Sequence, residues 1–319
     1  MAIAKVQHYV PQFLLRNFGN GKKDQVWVYD KSSSRSFPSN TKNVASESKF
    51  YDFEFQGQTL TLENWLSELE SKAKSVISFI LKSDTLKTLS NEQKDILAAF
   101  FAVQMTRTKT FREEWNEFPS LLRKHLEMTG DKVAPDSQAE EMIHDISEND
   151  SKEQTARIIF KAPETYAAHF LNKDWVLAAT SRKHPFLLSD NPLTRQNMID
   201  RPNRGNLGLK THGIEIYFPL SPTRALAMWC SSLTNVVHQS AQTLKRTMSS
   251  EAEEIIAMSD ALLSGRPVQY SNLNVENFNS LQVIWSERYI FSTSNDFSLP
   301  ESMIGDHPSL KKGPRATVA

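Results

Sequence analysis

The residues of this sequence that could perform chemistry are few, and they lie far apart along the chain. His8 precedes a short helix-forming segment, Arg107 follows a strongly apolar segment, and Asp190 ends a second apolar segment. Histidine can transfer a proton near neutral pH, the guanidinium of arginine can hold a phosphate, and a carboxylate can bind a metal ion. These residue types predict an acid–base hydrolytic site, provided that the fold brings them together.

His8 and Arg16 lie on either side of the segment that Pro11 opens, which is predicted to be a short helix. As a catalytic group, His8 would need a carboxylate close by to orient its ring. The alternative is a hydrogen bond from the imidazole to a backbone carbonyl. Arg16 is a candidate for substrate binding.

Gln104 and Arg107 continue the face of Phe100 on the most apolar predicted helix, at i+4 and i+7. A buried arginine keeps its charge and must find a carboxylate, a phosphate or several carbonyls. One interpretation is an internal ion pair of Arg107 with Glu63, Glu70 or Asp190. The other is a clamp for a phosphate-bearing ligand, in which Gln104 would also bind the substrate.

Asp190 and Asn191 follow the apolar segment FLLS, where Pro192 ends any strand pairing. The ends of strands commonly present side chains to a site, which makes Asp190 the leading candidate for a catalytic or metal-binding carboxylate and Asn191 a candidate for substrate binding. The alternative is a turn in which Asp190 caps backbone amides. Asn279, on a late helical segment, could bind a substrate or the edge of a strand.

Glu63 and Glu70 are seven residues apart and therefore lie on similar sides of the first long predicted helix. Paired carboxylates with a histidine suit a divalent cation that activates water. The sequence therefore nominates Asp190 and Glu70 as metal ligands, with Mg²⁺ as the candidate cofactor. A solvated helix face explains the two glutamates equally well.

Several classes of protein are excluded by what the sequence lacks. Ten glycines in 319 residues is a low share, and neither a dinucleotide-binding glycine motif nor a P-loop occurs. The single cysteine, Cys230, rules out disulfide frameworks and cysteine-rich zinc modules. A serine-hydrolase elbow and closely spaced histidine pairs are likewise absent from the sequence.

The charge balance argues against a protein that coats nucleic acid or an anionic membrane. Lys and Arg number 37 and Asp and Glu number 37, so the formal net charge is zero. The N-terminal residues lack the apolar core of a secretory signal, and the longest apolar stretch is far too short to span a bilayer. We expect a soluble cytoplasmic protein without a membrane partner.

Hydrophobic patterns predict the elements that must position these side chains. Residues 1–60 indicate a small β unit, residues 61–128 indicate three helices with an interruption near Pro119, and the segments after residue 172 alternate like an antiparallel sheet. The predicted class is α+β, with a central helical bundle between the N-terminal β unit and the C-terminal sheet. One integrated domain over 1–294 and a disordered tail over 295–319 are expected.

A series of short motifs resembles the DUF4238 family of bacterial proteins, in order from about residue 8 to residue 292. The matching segments are HYVPQFLLRNF followed by VWVYD, Phe50 with Tyr51, Glu63 with Glu70, the spacing of Phe100, Gln104, Arg107 and Thr108, LLSDNP, FPLSP and Asn279. The resemblance implies a role in bacterial antiviral defence of the abortive-infection type called Borvo, to which some members are linked.

Two functions follow as hypotheses. The first is a cytoplasmic antiviral effector that hydrolyses nucleic acid or nucleotides with the help of a metal ion, with His8, Arg107 and Asp190 as its catalytic groups. The second is a non-enzymatic sensor that recognises a phage protein or a nucleotide through the same polar residues. A buried structural network without a ligand is a third interpretation of these residues.

Overall fold

A computed structural model describes residues 6–144, 146–199, 205–245 and 250–315. It confirms the α+β class. The helices are α1 (Gln12–Asn17), α2 (Glu63–Ser83), α3 (Asn91–Thr106), α4 (Lys109–Thr129), α5 (Gln138–Ile143), α6 (Glu148–Leu171), α7 (Ser231–Leu244), α8 (Ser250–Ser264), α9 (Asn272–Trp285) and α10 (Ser298–Asp306).

The strands are short and alternate with these helices. They are β1 (Val6–His8), β2 (Gln25–Asp30), β3 (Arg35–Asn40), β4 (Ser46–Ser48), β5 (Asp52–Phe55), β6 (Gln58–Thr61), β7 (Asp174–Ala179), β8 (Leu188–Ser189), β9 (Thr194–Gln196), β10 (Glu215–Ser221), β11 (Arg224–Trp229), β12 (Val268–Gln269) and β13 (Tyr289–Ser292).

The predicted C-terminal sheet is present, with the strand order β12-β7-β11-β10-β9. Its pairs are antiparallel apart from β12 with β7, which is parallel. The segment FLLSD was expected in this sheet, but its strand β8 instead pairs with β13 in a second sheet of order β3-β2-β13-β8. That second sheet joins the N-terminal hairpin β2–β3 to the C-terminal part of the chain.

Helix α3 forms the centre of the core because it is apolar on nearly every side. Phe100 and Phe101 are fully buried, and the ring of Phe218 on β10 lies 5.0 Å from the ring of Phe101. On another side, the ring of Phe170 on α6 lies 6.0 Å from Phe101. The helix begins at a capping box, in which Ser90 and Gln93 bond each other's backbone amides.

Three boundaries differ from the sequence prediction. Helix α4 continues through Pro119, whose side chain is buried within the helix. Helical spacing of Val275, Phe278, Gln282, Trp285 and Tyr289 predicts a helix that reaches Tyr289, but α9 ends at Trp285 and Tyr289 begins β13. Part of the expected tail is folded, because Phe297 and Ile304 bury their side chains as α10 packs on α9.

No helix among the residues that the structure describes is long and apolar enough to cross a bilayer.

Candidate functional site

The site is built around Arg107, which follows the last turn of α3. Its side chain is only 1% exposed, and its Nη1 donates to Oε1 of Glu70 on α2 over 2.7 Å. Its Nε donates to Oε1 of Gln104 over 2.9 Å, and Gln104 in turn donates to the backbone oxygen of Tyr9. The structure therefore contains an internal ion pair, with Glu70 as the partner among the three predicted carboxylates.

One nitrogen of this buried guanidinium takes no part in these hydrogen bonds. Nη2 of Arg107 is buried and has no hydrogen-bond partner among the described residues. An unpaired polar atom in the interior costs free energy, and for a charged group the cost is larger. This donor therefore lacks an acceptor within the described part of the chain, on a side chain that is almost entirely shielded from solvent.

His8 lies at the end of β1, opposite Ser46 of β4, and is partly buried. Its Nδ1 faces the side-chain amide of Gln12 at 3.4 Å, and its Nε2 is buried without a well-formed hydrogen bond in the described part of the chain. Burial lowers the pKa of His8, while the backbone of Thr41 and the carboxylate of Glu70 oppose that shift. The imidazole is therefore neutral at pH 7 and lies within electrostatic range of Glu70.

Glu63 and Glu70 of α2 lie in different environments although they occupy similar sides of the helix. Burial, together with the negative charge of Glu70, raises the pKa of Glu63 to about 7, and the charge of Arg107 opposes this rise. Glu70 is paired with Arg107 and is 25% exposed. One carboxyl is thus near its midpoint at neutral pH while the other is held by a guanidinium, an arrangement found where acid and base roles are divided.

We call His8, Glu63, Glu70, Gln104 and Arg107 the Arg107 cluster. The elements β1, α2 and α3 bring it together from segments that are almost 100 residues apart. Chemically, it offers a proton donor or acceptor at Glu63, a neutral imidazole at His8 and a fixed positive charge at Arg107. These are the components of general acid–base catalysis.

Arg16 lies beside this cluster on the exposed surface. It donates from Nη2 to Oε1 of Gln12 over 2.7 Å and pairs with Asp24 over 2.8 Å. Gln12 also faces His8, so a chain of polar contacts leads from Arg16 to the imidazole. Arg16 is 47% exposed and can be reached by a ligand from solvent.

Asp190 lies apart from the Arg107 cluster. Its carboxylate is 1% exposed and accepts three backbone N–H bonds of 2.8 Å, from Glu287, Arg288 and Tyr289. Burial raises the pKa of Asp190 to about 6, against the effect of these bonds. This is the backbone-capping arrangement that the sequence left open as the alternative, and a catalytic or metal-binding role for Asp190 stays a prediction.

The two predicted asparagines bind backbone groups. Asn279 on α9 accepts from the amide of Leu187 and donates to the carbonyl of Pro185, which is the strand-edge alternative for this residue. Asn191 donates to the carbonyl of Trp285 over 2.9 Å. Together they attach the segment around β8 to α9.

The comparison with known families agrees with this arrangement of motifs. Residues 6–296 match the model of the family described as protein of unknown function (DUF4238). The chain belongs to the DUF4238 family. No curated protein and no solved structure matches it.

In this DUF4238 protein the two predicted metal ligands, Glu70 and Asp190, make different contacts. Glu70 binds Arg107, whereas both oxygens of Asp190 bind amides of residues 287–289. Within the described ranges, no group of three or more His, Cys, Asp or Glu side chains is arranged to hold a metal ion. The use of Mg²⁺ stays a prediction.

The sequence did not identify Gln7 and Tyr51, which hold the Arg107 cluster in place. Gln7 is fully buried, donates to Asp52 over 2.6 Å and accepts from the amide of Tyr51. The hydroxyl of Tyr51 donates to the backbone oxygen of His8 over 3.1 Å. The only sequence signal was the position of Gln7 beside His8 and of Tyr51 in a family motif.

The segment 195–210 carries four cationic residues, which are Arg195, Arg201, Arg204 and Lys210. Arg195 and Lys210 line a cavity on another side of the α3–α4 junction, whereas Arg201 and Arg204 lie outside the described residues.

Proposed function

We propose that the Arg107 cluster is the active site of a hydrolase that cleaves phosphate esters, with nucleotides or nucleic acid as the substrate class. The observation that carries the proposal is the environment of Arg107. A buried guanidinium keeps one unpartnered nitrogen in the described structure and has two carboxyl groups and a histidine around it. Titratable groups with perturbed pKa values cluster at functional sites.

The charges of the cluster support an anionic substrate. The charge of Glu70 is compensated by Arg107, and Glu63 is close to half-protonated at neutral pH because its pKa is about 7. A phosphate that approaches the partly exposed glutamates therefore does not meet two full negative charges. Arg16 adds a positive charge at the exposed side.

The proposed roles follow from these states. Protonated Glu63 acts as the general acid towards the leaving oxygen, and neutral His8 accepts a proton from the attacking water. Arg107 fixes Glu70 and stabilises negative charge that develops on the phosphate. Mg²⁺ is the proposed cofactor; Glu70, whose carboxylate is partly exposed, would hold it, and the ion would neutralise phosphate charge.

We place this activity in the cytoplasm and in antiviral defence of the abortive-infection type, with a phage component as the trigger. Membership of the DUF4238 family supports that role, since some members are linked to such defence. The second function considered, a sensor that binds without turnover, uses the same cluster. Substrate turnover distinguishes the two.

The test is incubation of the purified chain with RNA, single- and double-stranded DNA and nucleoside triphosphates, with and without Mg²⁺. Products that depend on the protein support the hydrolase. Tight binding without products supports the sensor. If neither products nor binding are observed, the cluster is a structural network without a ligand.

A further inference from the structure

A second polar site lies outside the Arg107 cluster, in a cavity of about 500 Å³. It is bounded by the first turns of α4, by α6, by β9 and by residues 208–211. We call it the Arg195 cavity. Its size is within the range of pockets that bind small molecules.

Arg195 on β9 lines this cavity together with Lys210 and with Glu114, whose carboxyl interacts electrostatically with the guanidinium. Its guanidinium lies 4.8 Å from the ring centre of Trp285, and its Nη1 donates to the carbonyl of Leu207 over 3.3 Å. Its Nε is buried and has no partner within the residues that the structure describes. A guanidinium cannot lose its charge, so this buried donor calls for an acceptor.

Thr110 supplies a second donor without a partner. Its side chain is 2% exposed, and its hydroxyl is buried and unbonded in the described ranges, although it lines the cavity. Thr110 lies in the first turn of α4, whose cap is Thr108, and the N-terminus of a helix this long carries a partial positive charge. Arg195, Thr110 and the helix end thus all favour an anion.

The rest of the wall is suited to a flat apolar group. Phe111, Tyr166, Leu193, Leu209 and Trp285 line the cavity beside the polar groups. Aromatic rings favour stacked or edge-on contacts with a planar ligand. One carboxyl, that of Glu114, also lines the cavity and could accept a hydrogen bond from an amino group of such a ring.

We propose that the Arg195 cavity binds a nucleoside monophosphate, with the phosphate at Arg195, Thr110 and the N-terminus of α4, and the base against Trp285 and Tyr166. The site is separate from the Arg107 cluster and does not depend on the hydrolase function. Thr106 and Thr108, the neighbours of Arg107 in sequence, both line the cavity. A bound ligand would therefore contact the α3–α4 junction that carries Arg107.

Isothermal titration calorimetry of the full chain with the four ribonucleoside 5′-monophosphates, each at up to about 1 mM, tests this proposal. We expect at least one of them to bind. The matching nucleoside and inorganic phosphate should each bind at least about tenfold more weakly, because each supplies only half of the contacts.

Variants locate the binding. Arg195→Gln and Thr110→Val should each weaken it, the first by at least about tenfold because a charged donor to the phosphate is lost. Thr110→Val is nearly isosteric and removes a hydroxyl that has no partner among the described residues, so it should fold even if Arg195→Gln does not. Arg35→Gln, at an exposed arginine of β3, should bind like the wild type.

Three results would overturn the proposal: no binding of any monophosphate, unchanged binding in both Arg195→Gln and Thr110→Val, or inorganic phosphate binding as tightly as the nucleotides. Glu63→Gln should bind the nucleotide like the wild type. If the chain hydrolyses none of the substrates offered in the turnover assay, these binding results would not change. The two proposals can therefore fail separately.

Discussion

The guanidinium of Arg107 and the carboxylate of Glu70 form a 2.7 Å ion pair in which the arginine is 1% exposed and the glutamate 25% exposed. The pair joins α3 to α2, and its two charges act in opposite directions on the pKa of the neighbouring Glu63. Because the arginine is the buried member, losing Glu70 would leave an uncompensated charge in the interior.

We therefore expect Glu70→Ala to lower the free energy of unfolding by about 3–5 kcal/mol, the usual cost of breaking a buried pair. Urea denaturation measures it. Glu68→Ala, at an exposed position of the same helix, is the control and should change stability by less than about 0.5 kcal/mol. Equal effects of the two substitutions would contradict a buried role for the pair.

Asp190 should prove essential to the fold. Asp190→Ala removes the acceptor of three buried N–H groups of residues 287–289, and each lost bond costs about 1–3 kcal/mol. We expect a loss of at least about 3 kcal/mol in the free energy of unfolding. Asp95→Ala, at an exposed position of α3, is the control. A fully stable Asp190→Ala variant would show that these amides find other acceptors.

Glu63 should make stability depend on pH. The pKa of Glu63 rises from 4.5 in the unfolded chain to about 7 in the folded one. As pH rises, the Glu63 carboxyl therefore loses its proton at a lower pH in the unfolded chain than in the folded one. Between those values the unfolded state binds fewer protons, and stability falls as pH rises. Glu63→Gln removes this contribution to the pH dependence of the free energy of unfolding.

Relative to the wild type, Glu63→Gln should thus be equally stable at pH 4 and more stable at pH 8. The side chain is partly exposed, so solvent screening reduces the gain to the order of 1 kcal/mol. Thermal unfolding over this pH range measures it. A variant less stable than the wild type at pH 8 would mean that the Glu63 carboxylate is favourably paired.

The pH profile of turnover follows from the same groups. The proposed mechanism needs Glu63 protonated and His8 neutral, and burial lowers the pKa of His8 below 6.5 while that of Glu63 is about 7. We expect kcat/KM to fall below the pKa of His8 and above about pH 7. A rate that keeps rising at pH 9 would exclude Glu63 as the acid.

Much of the framework could be predicted from the sequence because it depends on local rules. The apolar spacing of α2 and the capping box at Ser90 both appear in the structure. The pairing of β8 with β13 could not be predicted, since it depends on amides that Asn279 and Gln282 hold from a distant helix. Local patterns carry no information on such partners.

The same distinction applies to the candidate site. A buried Arg107 had to find a carboxylate, and the sequence named Glu70 among three alternatives, but choosing it required the contact between α2 and α3. For Asp190 the partners are backbone amides almost 100 residues away, which have no sequence signature at all. Side-chain chemistry was predictable here, whereas the geometry that assigns each role was not.

The most direct test of the hydrolase proposal is turnover by Glu63→Gln compared with Glu68→Gln, measured on whichever phosphate substrate the wild type cleaves. Glu63→Gln keeps the size of the side chain and loses the titratable proton, so kcat should fall by about 10²–10⁴-fold, with the fold intact. Glu68→Gln should retain wild-type activity. A Glu63→Gln variant as active as the wild type would contradict the assignment of the Arg107 cluster as the active site.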